Sequence, residues 1–218
     1  MQKKILYLGL DPERFEGEVT HYPVIKIKMR DPADGDIASA IADLPLYTHL
    51  IFTSRTAVTA FVDAIAFYHL AVDLLKGKQI IAIGSATAER LHGYSVAVDA
   101  MPEVATQEGV VALLNEEPLE RTYLFCPHSS LARKVLREYL ERRGALHRFL
   151  HFYTTMPRLN EPPPDLAIYD EIVFTSPSTV DAFRSLFPNM PFQEKYRAIG
   201  TVTAKSLIEV SRATKGTR

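Results

Sequence analysis

The chain has a single cysteine, Cys126, in 218 residues. An intramolecular disulfide framework is therefore excluded, and a reducing, cytoplasmic setting is expected. Long apolar runs are also missing: nothing approaches the ~18 residues of a membrane span, so no membrane partner is expected. The opening MQKKILYLGLDPERF meets Asp11 and Glu13 after only a short apolar stretch, which does not read as a signal peptide. Neither sign of charge dominates, with 25 Lys and Arg against 26 Asp and Glu. The densest basic stretch, Arg133 to Arg148, is interleaved with Glu138 and Glu141 as on a solvated helix face, so no nucleic acid partner is expected.

Chemical motifs are sparse as well. There is no Walker sequence and no G-x-G-x-x-G, so nucleotide binding of those types is unsupported, and no Cys/His cluster has zinc-ligand spacing, so no metal is expected. His147 and His151 are four apart in an extended segment, a spacing more usual for surface histidines than for a metal pair. Cys126-Pro-His-Ser-Ser-Leu-Ala-Arg133 looks like a phosphatase loop but has one residue too many before its arginine; the position a phosphate would need is Ala132. A core thiol is the expected role of Cys126.

What the chain does have is a duplication. HLIFTSRTAVTAF (His49–Phe61) returns as EIVFTSPSTVDAF (Glu171–Phe183), and AIGSATAERL (Ala82–Leu91) returns as AIGTVTAKSL (Ala198–Leu207). A period of roughly 120 residues is too long for a solenoid unit and suits a duplicated α/β domain.

Apolar strands and amphipathic helices alternate around these passages. Lys3–Leu10 and His21–Met29 read as strands, and DPADGD at 31–36 as a turn that caps the helix after it. Strands are expected at Leu50–Thr53, Gln79–Ile83, Ser95–Val98 and Arg121–Cys126. Helices are expected at Ala57–Tyr68, Ala86–His92, Glu108–Asn115 and Leu131–Arg143, the last closed by Gly144. Ala145–Tyr153 is again extended, and the prolines of MPRLNEPPPD oppose regular structure. The second series gives strands at Glu171–Thr175 and Tyr196–Ile199, helices at Thr179–Phe187 and Val202–Val210, and a polar tail.

The fold class expected is α/β: two lobes with parallel sheets flanked by helices, joined by a two-stranded β hinge. Residues 1–24 and 154–218 form a shortened lobe, residues 33–145 a complete inserted lobe, and residues 25–32 and 146–153 the linker. The cleft between lobes is the natural site.

Four hydroxyl-rich turns sit where strands give way to helices: Thr53-Ser54-Arg55-Thr56, Ser85-Ala86-Thr87, Thr175-Ser176-Pro177-Ser178 and Thr201-Val202-Thr203. Free N–H groups and hydroxyls at such places can hold carboxylates or phosphates. Each turn alone is also explained as helix capping; four in matching places favour a ligand. Tyr153, ending the second crossing segment, is a phenol placed to donate a proton in the cleft, or a boundary tyrosine with a wet hydroxyl.

The ordered set FTSRTAV, IGSATAERL, EGVVALL, LARKVLREYLERRGA, a strand ending in Tyr153, VFTSPSTVDAF and AIGTVTAKSL resembles the uroporphyrinogen-III synthase family, from about Ile5 to Leu207. The resemblance implies two α/β lobes on a two-stranded ladder and a cofactor-free lyase. Such an enzyme closes linear hydroxymethylbilane into uroporphyrinogen III, losing water and inverting ring D through a spiro intermediate. The protein then works chiefly by positioning a polycarboxylate, and is expected to be a monomer. By this resemblance Tyr153 assists hydroxyl departure, Thr53, Ser54, Thr87, Ser176 and Thr203 line the cleft, and Arg133 meets a carboxylate. Arg55, Ser85, Ser178 and Thr201 belong to the same turns as substrate-binding candidates. The alternative is a non-catalytic two-lobed protein that binds a tetrapyrrole or another polyanion.

The chain also departs from the family pattern. GLDPERFEGEVTH leaves little room for the usual Arg-containing turn and helix, Val202 replaces a frequent hydroxyl, and the end lobe lacks counterparts of Ser95–Val98 and Glu108–Asn115.

Overall fold

The computed structural model describes residues 2–12, 17–158 and 162–215. The chain divides into two compact units: Met1–Lys28 with Thr155–Arg218, and Met29–Thr154.

The end unit is built on a sheet of four strands in the order β2-β1-β8-β9. They are β1 (Lys4–Tyr7), β2 (Glu18–His21), β8 (Glu171–Phe174) and β9 (Tyr196–Ala198), all parallel. The strand cores KILY and EIVF are buried on both sides, as a parallel sheet covered by helices requires. Helices α6 (Pro177–Leu186) and α7 (Thr201–Lys215) follow β8 and β9. The core packs Leu6, Val24, Ile172, Val180 and Leu207 around Phe174 and Phe183, whose rings meet edge-on at 5.1 Å.

The middle unit is built on a five-stranded sheet in the order β3-β7-β6-β4-β5. Its strands are β3 (Ile25–Met29), β4 (His49–Phe52), β5 (Gln79–Ala82), β6 (Tyr123–Ser129) and β7 (Leu146–Pro157). β5, β4, β6 and β7 are parallel neighbours. β3 runs against β7: Arg30 N–H donates to Phe152 O and Arg158 N–H to Val24 O, a register of opposite sense. Both passages of the chain between units therefore lie on strands.

Helices α1 (Gly35–Ala42), α2 (Arg55–Phe67), α3 (Ser85–His92), α4 (Gln107–Asn115) and α5 (Val135–Arg142) flank the sheet. One face buries Phe52, Phe61, Phe125 and Phe152 with ring centroids about 6 Å apart, the spacing of edge-to-face aromatic pairs. The other buries Ile51, Ile81, Val110, Leu124, Leu136 and Leu140.

Five expectations need correction. Ser95–Val98 is not a strand: the segment is irregular and reaches the sheet only at an isolated Ile81–Ala100 bridge. The strand half of the expected difference between lobes therefore disappears. His21–Met29 is two strands, broken at Tyr22–Val24 where Pro23 has no N–H to give. Only His21 belongs to β2, which pairs with β1, and the strand resumes at Ile25 as β3. The helix expected from Leu131 begins only at Val135, after a turn closed by Ala132 N–H on Ser129 O. β7 runs on through Met156 and Pro157, and the polar residues after Val210 are helical as far as Lys215, the last described residue. Of the segment read as too short for a turn and helix, residues 13–16 lie outside the described residues.

Candidate active site

In the middle unit the first repeated turn closes around Tyr153. β4 ends at Phe52, and Ser54, extended at φ −166°, caps α2. Its Oγ accepts the Ala57 N–H at 3.0 Å and lies 2.8 Å from the Tyr153 hydroxyl. A serine oxygen has room for both, since it accepts two hydrogen bonds and donates one. The Thr56 hydroxyl lies near enough to favour the ionised phenol, though less than Ser54 does.

Tyr153 itself is 5% exposed. It stands on β7 opposite Ser129, just past a bulge between His128 and Ser129, and its carbonyl accepts the Ser130 N–H at 2.9 Å. Such a bulge re-aims a side chain at the end of a ladder. Burial pushes the phenol above its usual pKa, and the two hydroxyls offset this only in part. It therefore stays protonated at neutral pH and can donate. Thr56 closes the first hydroxyl-rich turn and matches Ser178 in the second copy.

Thr53 lines a neighbouring cavity of about 120 Å³ whose wall includes Cys126, Arg133, Lys134 and Arg137. Arg133 does not start the helix; it lies in the turn before α5, and its fork holds Glu108 at 2.6 and 2.9 Å. That pairing draws the Glu108 carboxyl down to about 2. The sequence reading had no signal for it, because Glu108 is on another helix. Cys126 and Arg133 do share this wall, but burial pushes the thiol up to about 12, so it is no nucleophile near neutrality.

The other candidates fall into two kinds. Ser85 is exposed at the start of α3, whereas Thr87 is 4% exposed. Arg55 opens α2 half-buried, and its carbonyl accepts the Thr59 hydroxyl. The second copy repeats this split in the end unit. Thr201 is exposed at the start of α7, and Thr203 is 3% exposed. Ser176 caps α6, and its Oγ lies 2.8 Å from that of Ser178. Thr179, buried, accepts the N–H groups of Thr175 and Ser176 at 3.2 Å. Gly9 permits this packing on β1's side, since a Cβ there would meet Thr175 Cγ2 at 2.5 Å.

The structure thus brings Tyr153, Ser54 and Thr56 into one hydroxyl cluster, and places Thr53 and Arg133 on the adjoining cavity. In the end unit it joins Ser176 and Ser178. Thr87 and Thr203, at equivalent places in the two copies, are both almost fully covered.

Comparison with known proteins places these features in context. The model of a family described as uroporphyrinogen-III synthase HemD matches residues 11–211. A protein of Methanothermobacter thermautotrophicus, provisionally named uroporphyrinogen-III synthase, is 29% identical over 174 residues, covering 73% of this chain and 68% of that protein. A mutant uroporphyrinogen III synthase from Thermus thermophilus shares the fold with a TM-score of 0.67 at 17% identity, over 95% of this chain and 89% of its own. The Helicobacter pylori uroporphyrinogen-III synthetase does so with a TM-score of 0.57 at 19% identity, over 95% and 88%.

Proposed function

Since the chain belongs to the uroporphyrinogen-III synthase family, we propose that it closes hydroxymethylbilane into uroporphyrinogen III, with ring D inverted and one water lost. The observation that carries the site assignment is the buried Tyr153 phenol 2.8 Å from the Ser54 hydroxyl at the start of α2.

The chemistry asks little of the protein as a nucleophile. The terminal pyrrole nitrogen pushes its electrons toward the hydroxymethyl carbon, the C–O bond breaks, and the departing hydroxyl takes the Tyr153 proton to leave as water. Ser54 and Thr56 then turn their hydroxyls toward the phenolate and hold its charge. The substituted α-carbon of ring D attacks the resulting cation to give a spiro centre. That centre reopens and recloses at the other α-carbon, and loss of the ring proton returns a proton to Tyr153. Choosing that α-carbon is a matter of holding the chain of pyrroles, which is catalysis by positioning.

The hydroxyl turns supply groups for the substrate's carboxylates in each unit. Thr53, Arg55 and Ser85 do so in the middle unit, where Ser54 serves Tyr153 and Arg133 holds Glu108, and Ser176, Ser178 and Thr201 do so in the end unit, with Thr87 and Thr203 bracing the helix starts from beneath. The protein works as a cytoplasmic monomer, a reading supported by the free, buried thiol of Cys126, which suits a reducing compartment.

Fresh hydroxymethylbilane incubated with the purified chain, with isomers I and III resolved chromatographically, tests this directly. Isomer III above the spontaneous background supports the synthase. Isomer I alone, at the uncatalysed rate, makes the protein a binder of tetrapyrroles or other polyanions instead.

A further inference from the structure

The cavity beside Tyr153 carries chemistry that proton donation does not use. Two chain links tie it to the phenol. Thr53 lines the cavity and the next residue, Ser54, contacts the phenol at 2.8 Å; Ser130 lines it and donates its N–H to Tyr153 O at 2.9 Å. About 120 Å³ is well above the ~15 Å³ that one water needs, and gives room for a carboxylate on a short alkyl stem.

Its wall is cationic. Lys134 and Arg137 stand at the start of α5, and Lys134 occupies the cap position without a side-chain cap bond, so the positive end of that helix is part of the wall. The Arg137 guanidinium lies over the Phe149 ring at 5.1 Å, a cation–π contact that holds it against the cavity wall. Arg133 is also present, but its fork is turned to Glu108.

His128 adds an independent sign of a ligand. Its Nδ1 lies 2.6 Å from Ser129 O and therefore carries the proton in the neutral ring. The other nitrogen, Nε2, is buried and has no hydrogen-bond partner. An unpaired buried polar atom is costly and rare, and His128 is itself one of the wall residues of this cationic cavity.

We propose that this cavity is a carboxylate subsite for the linear tetrapyrrole: Arg137 and Lys134 hold one substrate carboxylate, and protonated His128 donates to it through Nε2. This rests on the synthase reading, which supplies the polycarboxylate. Glu108 opposes the anion, so the subsite is tuned by one negative charge. Burial holds His128 neutral, aided by Arg137 on α5 and His151 on β7. An arriving carboxylate reverses that balance.

Steady-state kinetics with hydroxymethylbilane on the full chain test the assignment. Arg137→Met, which keeps the stem beside Phe149, raises KM about tenfold with a smaller change in kcat, equivalent to ~1.4 kcal/mol of binding. Glu108→Gln lowers KM about threefold by removing the opposing charge and freeing the Arg133 fork, a gain that loss of folding cannot mimic. The wild-type KM falls as pH drops from about 7.5 to 6, and His128→Asn abolishes that dependence. Unchanged KM in both charge variants, with isomer III still formed, overturns the subsite. If the wild type forms no isomer III, it is the synthase reading that fails, and the cavity is tested alone with sodium propionate, followed by NMR of the His128 ring. A saturable shift lost in Arg137→Met supports the carboxylate site, and no shift overturns it. Inorganic phosphate run in parallel separates a free-oxyanion site: saturation by phosphate with KM unmoved in the variants overturns the assignment to substrate.

Discussion

The hydroxyls of Ser54 and Tyr153 lie 2.8 Å apart, and the same Ser54 oxygen accepts the N–H that opens α2. One atom thus links the start of a helix to the orientation of a phenol 99 residues away in sequence. Among the described residues the second copy of the turn shows no such link. There the cap from Ser176 to Thr179 N stretches to 3.4 Å and Ser176 turns to Ser178 instead. Duplication supplied the same turn twice, and one copy is joined to an acid.

Tyr153→Phe removes only the proton and its two hydroxyl contacts. The turnover number falls about 100-fold, as for loss of a general acid, while affinity for a product-like tetrapyrrole changes little. A drop in binding as large as the drop in rate would make Tyr153 a packing residue. The wild-type rate should stay free of tyrosine ionisation up to about pH 10, because burial raises the phenol above its ordinary 10. The sign for stability follows. Above pH 10 the unfolded chain loses this proton first, so Tyr153 contributes stability below pH 10 that fades as pH climbs through its raised value. Alkaline denaturation compared between wild type and Tyr153→Phe measures it.

Ser54 separates capping from catalysis. Ser54→Ala loses the cap and the phenol contact together, costing about 1 kcal/mol of stability as well as rate. Ser54→Gly costs only a few tenths in stability, since glycine is tolerated at helix caps, yet loses as much rate as alanine. Ser54→Thr keeps both. If the glycine variant is as active as wild type, the serine hydroxyl has no role beyond the cap. Urea melts and initial rates on the three variants decide this.

Thr179→Val tests the end-unit turn. Thr179 Oγ1 accepts two backbone N–H groups at 3.2 Å and donates to Ser176 O at 2.7 Å, in a side chain with no exposure. Valine fills the same volume and strands the two N–H groups, while Ser176 O keeps the backbone N–H groups of Thr179 and Val180, at a cost of about 2–3 kcal/mol. The urea midpoint falls with an unchanged slope, as for a loss of stability without a change of fold. A cost under about 0.5 kcal/mol would mean water takes over the backbone groups.

The division between what could be read in the sequence and what could not follows the range of the interactions. The strand–turn–helix order around FTSRTAV and FTSPSTV was legible because apolar runs and serine caps are local signals. The parallel α/β class followed from strands apolar on both faces. The pairing of Arg133 with Glu108 was not legible, nor were the contact of Thr56 with Tyr153 and the meeting of His128 with Arg137 at one cavity. Each joins residues on different elements, and the sheet order that brings them together is set by packing. Ser95–Val98 misled for the complementary reason. Its β-branched residues suit a strand, but beyond the Ile81–Ala100 bridge it has no ladder to join.

Gly109 and Gly144 make the last contrast, between a glycine needed for space and one needed for conformation. At Gly109, in the first turn of α4, a Cβ would stand 2.0 Å from the Val104 carbonyl oxygen. That oxygen is held in place by the Thr106 N–H at 2.7 Å, and Thr106 in turn caps the helix through Gly109 N. The obstacle is backbone within a closed cap, so no side chain can move aside. Gly109→Ala therefore displaces the start of α4 and with it the Glu108 carboxylate that holds Arg133. Overpacking of this kind costs about 3 kcal/mol or more. Gly144 has open space around it but sits at φ +62°, just past α5. There an alanine meets only the left-handed penalty of ~1–2 kcal/mol. Urea melts should place Gly109→Ala well below Gly144→Ala, and the reverse order would show that the α4 cap yields more easily than its hydrogen bonds imply.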